Sequence, residues 1–568
     1  MHWQFYQPEE STVLSLQSAL SCSEIIARII ANRKLFTKEE TKTFFNPDLN
    51  GLHDPFLMQD MQLAVERVLQ SIKKQTAILV FGDYDVDGTT AAAMLFLALK
   101  VLGAKVFTYI PNRESEGYGL SARGIKYAEK IGADLIITCD CGINANEPVA
   151  FAKSLNIDVI ITDHHIPDAN LPEAYAILNP KRPDCNYPFK GLCGGGVAFK
   201  LASALTNALG KPATVYHEFL DLITMGTAAD MVPIIDENRI IVSHGLPMLA
   251  DSIKPGIKAL FEKSGIRTNN LTVGQLIFGI APKINAAGRL GDANRSVELL
   301  TTTDEHYAEK LATELTGENK RRQQIQQDVV NEALLMVNSQ IDLQNDRAVV
   351  LAETGWHPGV VGIVASKVKD EYHRPAVIIS FDENGAGKGS ARSISGLDLY
   401  AALSAVSMHL DDFGGHPMAA GLSISKDKYP QFKQAFLDYA NNNLSAEQLI
   451  PSILLDGEIA LGDINPRFMD FLQKLSPYGP GNMRPKVCVR QLEVVGSPQM
   501  IGNGEHLRFK VRKDGRVINA IGFGQAPHYE KLIKGFPVDL ACVVETNEWR
   551  GHSTIQLNVR DIKLSEPT

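Results

Sequence analysis

A chain of 568 residues has material for several buried cores, and its 45% hydrophobic and 21% charged residues exclude a disordered or fibrous protein. A net charge of −9 excludes a generally basic nucleic-acid binder, so a polyphosphate partner must be met by locally concentrated Lys and Arg. The seven scattered cysteines argue against a disulfide framework and for a reducing, cytoplasmic setting. MHWQFYQPEESTV does not read as a secretory signal, and no run approaches the roughly 20 apolar residues that span a bilayer.

In chain order, residues 1–45 read as a helical segment without recognisable chemistry. Within 46–304, the runs TAILVF (76–81), KVFTYI (105–110), DLIITC (134–139) and DVIIT (158–162) are short, apolar on both faces and separated by helix-length stretches. That pattern predicts βαβ units and a parallel sheet, followed by a mostly helical stretch from 236. Residues 305–344 form a polar helix with a thin apolar stripe, suited to linking two lobes. A second, smaller α/β unit occupies 345–445, opening with AVVLAE and continuing through GWHPGVVGIVASKV to PAVIIS. From 451 to 568 the runs LRFKV, VINAIGF, DLACVVE and STIQLNV have the spacing of a small β-barrel, in a segment slightly basic against an acidic remainder.

Four acidic sites each close a predicted strand or an apolar stretch: Asp83-Tyr84-Asp85-Val86-Asp87-Gly88, Asp140, Asp163-His164-His165 and Asp230. In an open α/β sheet, ligands bind beyond the carboxyl ends of the strands, which brings these sites together. Alternation at Asp83, Asp85 and Asp87 turns three carboxylates one way if the segment stays extended. So many carboxylates cannot share one site unpaired, and a pair of divalent ions resolves the repulsion. Mixed carboxylate and imidazole donors suit Mn²⁺, with Mg²⁺ as the alternative. Two such ions about 3.5–4 Å apart activate a water and hold a phosphoryl oxygen. Any one of these aspartates alone is equally well a turn or helix-cap residue; all four together are not.

FGDYDVDG, TCDCG, TDHH and GTAAD resemble, in order, the four motifs of the DHH phosphoesterase superfamily. PNRESEGYGL (111–120), INAAGRL (284–290), GWHPGVVGIVASKV, GSARS (389–393), FGGHPMAAG (413–421) and YGPGN (478–482) are similar to segments of its RecJ family of exonucleases, over about 50–565. The resemblance implies a parallel-sheet DHH domain, a smaller DHH-associated α/β domain reached through a long helix, and a C-terminal OB-like barrel. It implies Asp85, Asp87, Asp140, His164 and Asp230 as metal ligands, with Asp140 bridging both ions. Asp83, where some relatives carry histidine, and His165, facing the scissile phosphate, are the implied catalytic residues. Arg113, Arg289, Ser390, Arg392 and His416 are implied to grip the 5′ phosphate and first nucleotide, which suits planar guanidinium forks and glycine-flanked backbone.

The implied activity is single-stranded-DNA-specific 5′→3′ exonucleolysis, releasing 5′-mononucleotides with two divalent ions, in recombination and repair. The enzyme is expected as a monomer, with no membrane association and with a helicase and a single-strand-binding protein as candidate partners. The alternatives are another DHH phosphodiesterase, acting on oligoribonucleotides or cyclic dinucleotides, and an inactive single-strand-binding scaffold. On the barrel, Arg508, Lys510 and Arg512 with Tyr478 and Trp549 are candidate DNA contacts, while Phe509 reads more readily as core. Gly194-Gly195-Gly196 either binds an anion at a helix start or makes a tight turn, the turn being favoured. Cys139, Cys141, Cys185 and Cys193 fit no common zinc spacing.

Overall fold

The structure, a computed structural model, describes residues 1–113, 115–549 and 552–566; the side chains of Arg289, Leu290 and Trp549 lie outside the described set. Two compact units result. One comprises Trp3–Thr316 and Leu454–Thr568, the other Gly317–Ile453 with the first two residues.

The larger unit is built on a parallel five-stranded sheet: β1 (Ala77–Gly82), β2 (Lys105–Tyr109), β3 (Ala133–Cys139), β4 (Asp158–Thr162) and β5 (Ala176–Leu178), in the order β2-β1-β3-β4-β5. Its strands are apolar in both directions because both faces are covered. Ile78, Val80, Leu135 and Ile137 enter one core, and Leu79, Phe81, Ile136 and Ile161 enter another. Four helices matter for the site: α1 (Val86–Val101), α2 (Gly194–Ala208), α3 (Leu220–Ala229) and α4 (Asp236–Ala250). The three-residue β5 is too short to show a periodicity, which is why the sequence does not announce it.

A 36-residue helix, Glu305–Gln340, leads into the smaller unit. There a mixed sheet runs β9-β10-β8-β7-β6, from β6 (Val349–Thr354), β7 (Ala376–Phe381), β8 (Ala386–Arg392), β9 (Asp412–His416) and β10 (Ala419–Ser425). Only β6 and β7 are parallel; the GSARS and FGGHPMAAG segments turn out to be antiparallel strands.

The last part of the chain forms a closed barrel from β11 (Val487–Ile501), β12 (His506–Lys513), β13 (Arg516–Gly522), β14 (Val538–Trp549) and β15 (His552–Leu564). The order is β11-β12-β13-β15-β14, and β14 pairs back onto β11. The N-terminal helices do not stand apart: Val13, Leu16, Ile29 and Ile30 share one core with Val489, Leu540 and Ile562 of the barrel. Arg239 of α4 joins these parts, donating to the carbonyls of Phe44, Leu475 and Ser476. Among the described residues no single helix is long and apolar enough to cross a membrane.

Candidate metal centre and strand-binding surfaces

The residue following each of three neighbouring strands is tied to the next strand's end. The N–H groups of Asp83, Asp140 and Asp163 donate to the carbonyls of Cys139, Thr162 and Leu178 at 3.1, 2.9 and 3.0 Å. These bonds set three acidic residues at one level along the sheet's carboxyl edge. Asp140 takes a left-handed backbone conformation to do so (φ 63°), a turn that a short polar side chain tolerates.

The Asp83–Asp87 segment is not extended, contrary to the alternation read from the sequence. β1 ends at Gly82, and Asp85 is the N-cap of α1, accepting from the Gly88 N–H at 3.0 Å. Capping turns the chain into helix, so Asp87 faces a different neighbourhood from Asp83 and Asp85. The Asp87 carboxylate accepts the Gly194 and Gly195 N–H groups at 2.6 and 3.0 Å. The glycine run at the start of α2 therefore does receive an anion, and the anion is the protein's own carboxylate. Glycine is required there by space: a Cβ on Gly194 would lie 2.4 Å from Asp140 Oδ1, and one on Gly226 would lie 2.5 Å from Asp87 Oδ1. Cys193 caps the same helix, accepting from the Gly196 N–H at 3.3 Å.

The capping turn puts Asp87 in a donor group apart from that of Asp83 and Asp85, and Asp140, His164 and His165 make a third set of neighbouring ligand atoms. Asp83, Asp85 and Asp140 bring one ligand atom each within 4.8 Å of one another, and so do Asp87, His164 and Asp230. Asp140 stands next to both, because its Oδ1 is 3.2 Å from His164 Nε2, itself 3.6 Å from Asp230 Oδ2. Asp83 Oδ1, Asp140 Oδ1, Asp230 Oδ2 and His164 Nδ1 are buried and make no hydrogen bond. Burial, and after it the neighbouring carboxylates, pushes the Asp83 and Asp140 carboxyls well above their ordinary range and Asp230 up to about 8. Burial also brings His164 down to about 4. Such a set cannot ionise together by itself; these orphaned oxygen and nitrogen donors fit two divalent cations.

His165 is held differently. Its Nδ1 lies 2.7 Å from Asp163 Oδ1, and Asp163 also accepts the Ile143 and His164 N–H groups at 2.9 and 2.7 Å. Burial opposes the charge on both groups, but their mutual hydrogen bond prevails: His165 is raised and Asp163 lowered from their ordinary values. The Tyr118 hydroxyl sits 3.3 Å from His165 Nδ1 and 3.2 Å from the Asp140 carbonyl. Asp163 and Tyr118 stood inside recognised motifs; the Asp163–His165 pair is local, two residues apart, whereas the contacts of Tyr118 with Asp140 and His165 and of Asp163 with Ile143 form across the fold and were not legible there.

Arg113 lies with its guanidinium 5.2 Å above the Tyr84 ring and acts electrostatically on Asp83. The helix carrying INAAGRL braces the same loop. Asn285 Oδ1 accepts the Val86 N–H at 3.1 Å, and a Cβ on Gly288 would lie 2.7 Å from the Tyr84 carbonyl. The Arg289 side chain lies outside the described residues.

In the smaller unit, antiparallel register puts Arg392, Ala419 and His416 in one row across β8, β10 and β9, and Ser390, Gly421 and Gly414 in the next row on the same face. Arg392 donates to Ser390 Oγ at 2.8 Å, and a Cβ on Gly362 would lie 3.2 Å from both residues. The result is a floor of small residues edged by a guanidinium, a hydroxyl and an exposed imidazole. Burial lowers the Arg392 pKa.

On the barrel, Arg508, Lys510 and Arg512 project outward from β12, with Arg508 donating to Gln499 at 2.8 Å and Arg512 paired with Glu493 at 2.8 Å. Phe509 points inward and is 4% exposed, hence core. Tyr478 is placed at the junction below the barrel: its hydroxyl donates to the Leu472 carbonyl and the Arg484 guanidinium lies 5.0 Å above its ring. The Trp549 side chain lies outside the described residues.

Comparison with known proteins gives a consistent picture. Residues 77–227 match the DHH family, N-terminal domain, residues 345–442 the DHHA1 domain, and residues 455–561 the RecJ OB domain. The chain is 38% identical over 571 residues to the single-stranded-DNA-specific exonuclease RecJ of Bacillus subtilis, covering 100% of this chain and 71% of that one. It is 35% identical to the Escherichia coli protein of the same description, covering 95% of each. The crystal structure of Thermus thermophilus RecJ in complex with Mn²⁺ superposes with a TM-score of 0.84 at 28% identity, covering 100% of this chain and 80% of that one. The Mg²⁺ complex of the Thermus protein superposes with a TM-score of 0.78.

Proposed function

The chain belongs to the RecJ family of single-stranded-DNA-specific exonucleases, and we propose that it removes 5′-mononucleotides stepwise from single-stranded DNA, in the 5′→3′ direction, in recombination and repair. The observation that carries this reading is the pair of donor groups around Asp140, with their orphaned buried atoms at the carboxyl edge of the sheet. Asp83, Asp85 and Asp140 would hold one divalent ion, and Asp87, His164 and Asp230 the other, with Asp140 shared. Two such ions, Mn²⁺ in preference to Mg²⁺, supply the positive charge that activates a water and neutralises a phosphoryl oxygen.

The remaining work falls to the chain's own groups. Asp163 fixes His165 through Nδ1, which leaves Nε2 as the atom to donate a hydrogen bond to the scissile phosphate or a proton to the departing 3′ oxygen. Ser390 Oγ and the Arg392 guanidinium grip the 5′ phosphate, with His416 beside them and glycines that let the strand approach the backbone. Arg113 and Arg289 supply further phosphate contacts. On the barrel, Arg508, Lys510 and Arg512, with Trp549, hold the strand beyond the cut; Tyr478 is committed to the junction and is left out of that set. The enzyme acts as a cytoplasmic monomer, with a helicase and a single-strand-binding protein as the partners that would expose and present its substrate.

A substrate panel with Mn²⁺ tests the proposal: long single-stranded DNA, the same DNA as duplex, short RNA and a cyclic dinucleotide, with the DNA labelled at either end. Single-stranded DNA should be degraded from its 5′ end to mononucleotides and the duplex spared. Preferential hydrolysis of the RNA or the cyclic dinucleotide, or digestion from the 3′ end, would overturn it.

A further inference from the structure

The short strand β5 runs into the segment Asn179-Pro180-Lys181-Arg182, which none of the recognised motifs includes. Strand register sets it beside the proposed metal centre. The β4–β5 register ends on Thr162 opposite Leu178, and the Asp163 N–H donates to the Leu178 carbonyl, so residues 179–181 continue alongside Asp163–His165. Asn179 closes the contact with two bonds. Its side-chain amide donates to the His165 carbonyl at 2.9 Å, and its Oδ1 accepts the Lys181 N–H at 2.8 Å.

The two cations that follow have different fates. Arg182 is buried and consumed: it pairs with Asp60 and Asp184 at 2.6 Å and donates to the Ile177 carbonyl. Lys181 is half-buried, and among the described residues its ammonium is committed to no carboxylate or carbonyl. Lys181 is therefore an uncommitted cation in a segment that runs alongside Asp163–His165, next to the donor group to which His164 and Asp230 belong. A structural lysine so close to a buried centre would be expected to find a carboxylate of its own, as Arg182 and Lys200 do.

We propose that Lys181 is a substrate-binding residue that pairs with a non-bridging oxygen of one backbone phosphate of the bound strand, next to the donor group to which His164 and Asp230 belong. The inference rests on the exonuclease reading given above. A lysine ammonium suits this task because it meets a phosphate as a point charge and tolerates the varied orientations of a strand that advances after every cut.

The experiment measures KM and kcat on 5′-phosphorylated single-stranded DNA over a range of salt, for the wild type, Lys181→Ala and Lys181→Arg. Oligonucleotides carrying one neutral methylphosphonate at each of the first linkages in turn are the second axis. Lys181→Ala should raise KM roughly ten-fold, more than it lowers kcat, for loss of one charge-assisted contact. The slope of log KM against log salt should fall by about 0.7, the value of one phosphate contact on a single strand. Lys181→Arg should recover the slope. At one linkage the methylphosphonate should weaken the wild type and leave Lys181→Ala unaffected. An unchanged salt slope, or methylphosphonate penalties that add to the mutation at every linkage, overturns the inference even if the thermal transition is lowered. Failure of the wild type to cleave the strand at all would instead overturn the exonuclease reading.

Discussion

Gly194→Ala removes no charged group, and it should nevertheless disable the enzyme. The new methyl would lie 2.4 Å from both Cβ and Oδ1 of Asp140 and 2.7 Å from its Cα, so no rotation of the aspartate alone relieves the clash. Restoring ordinary carbon contacts of about 3.5 Å displaces α2 or Asp140 by about 1 Å. A displacement of that size at a reacting centre costs about 100-fold in rate. Overpacking elsewhere in a core costs only about 1–3 kcal/mol of stability, so the variant should still fold. The assay is Mn²⁺-dependent release of nucleotides from single-stranded DNA, alongside a thermal melt and a binding measurement with the same strand. The expected outcome is retained folding and strand binding with cleavage down by about two orders of magnitude. Near-wild-type turnover would refute the claim that the glycine start of α2 sets the position of Asp140.

Asp140→Ala removes the carboxylate next to both donor groups and should lower cleavage by several orders of magnitude while single-strand binding largely survives, as read by a filter or anisotropy assay. Arg392→Ala should weaken action on 5′-phosphorylated DNA by about 1.5–3 kcal/mol and on 5′-hydroxyl DNA much less; equal losses would reject end recognition. Asp561 ties Trp3 to the barrel, accepting from its indole N–H at 2.7 Å and lying 3.1 Å from His528 Nε2. Burial pushes its carboxyl up, but these hydrogen bonds outweigh it and hold the group well below its ordinary 3.8. A depressed carboxylate stabilises the fold fully above the unfolded value and loses that contribution as pH falls through the folded one. Asp561→Asn should therefore melt lower than wild type at neutral pH, with the difference closing in strong acid.

The acidic centre was readable because each of its parts ends a strand or an apolar stretch, and the carboxyl edge of a parallel sheet is where such ends meet. What the sequence hid was chiefly non-local. Gly194 and Gly195 read as a tight turn because the anion they receive, Asp87, is over a hundred residues upstream. The alternation of Asp83, Asp85 and Asp87 suggested one face, but Asp85 is a helix cap, and capping outweighs a strand periodicity that has already ended at Gly82. Lys181 follows a strand of three residues with no pattern to reveal it. The helices of residues 1–45 gave no sign that their apolar faces would be covered by a barrel more than four hundred residues away. In the smaller unit the parallel strands β6 and β7 were evident from β-branched runs, whereas β8, β9 and β10 are rich in glycine and polar residues and read as motif rather than strand.

The most direct test is anomalous scattering at the manganese edge from crystals of the wild type and of Asp140→Ala grown with Mn²⁺. Two peaks are expected in the wild type, one among Asp83, Asp85 and Asp140 and one among Asp87, His164 and Asp230, with Asp140 touching both, and loss of at least one peak in the variant. A cleaving enzyme with no peak at these residues, or two undisturbed peaks without Asp140, would contradict the two-ion assignment.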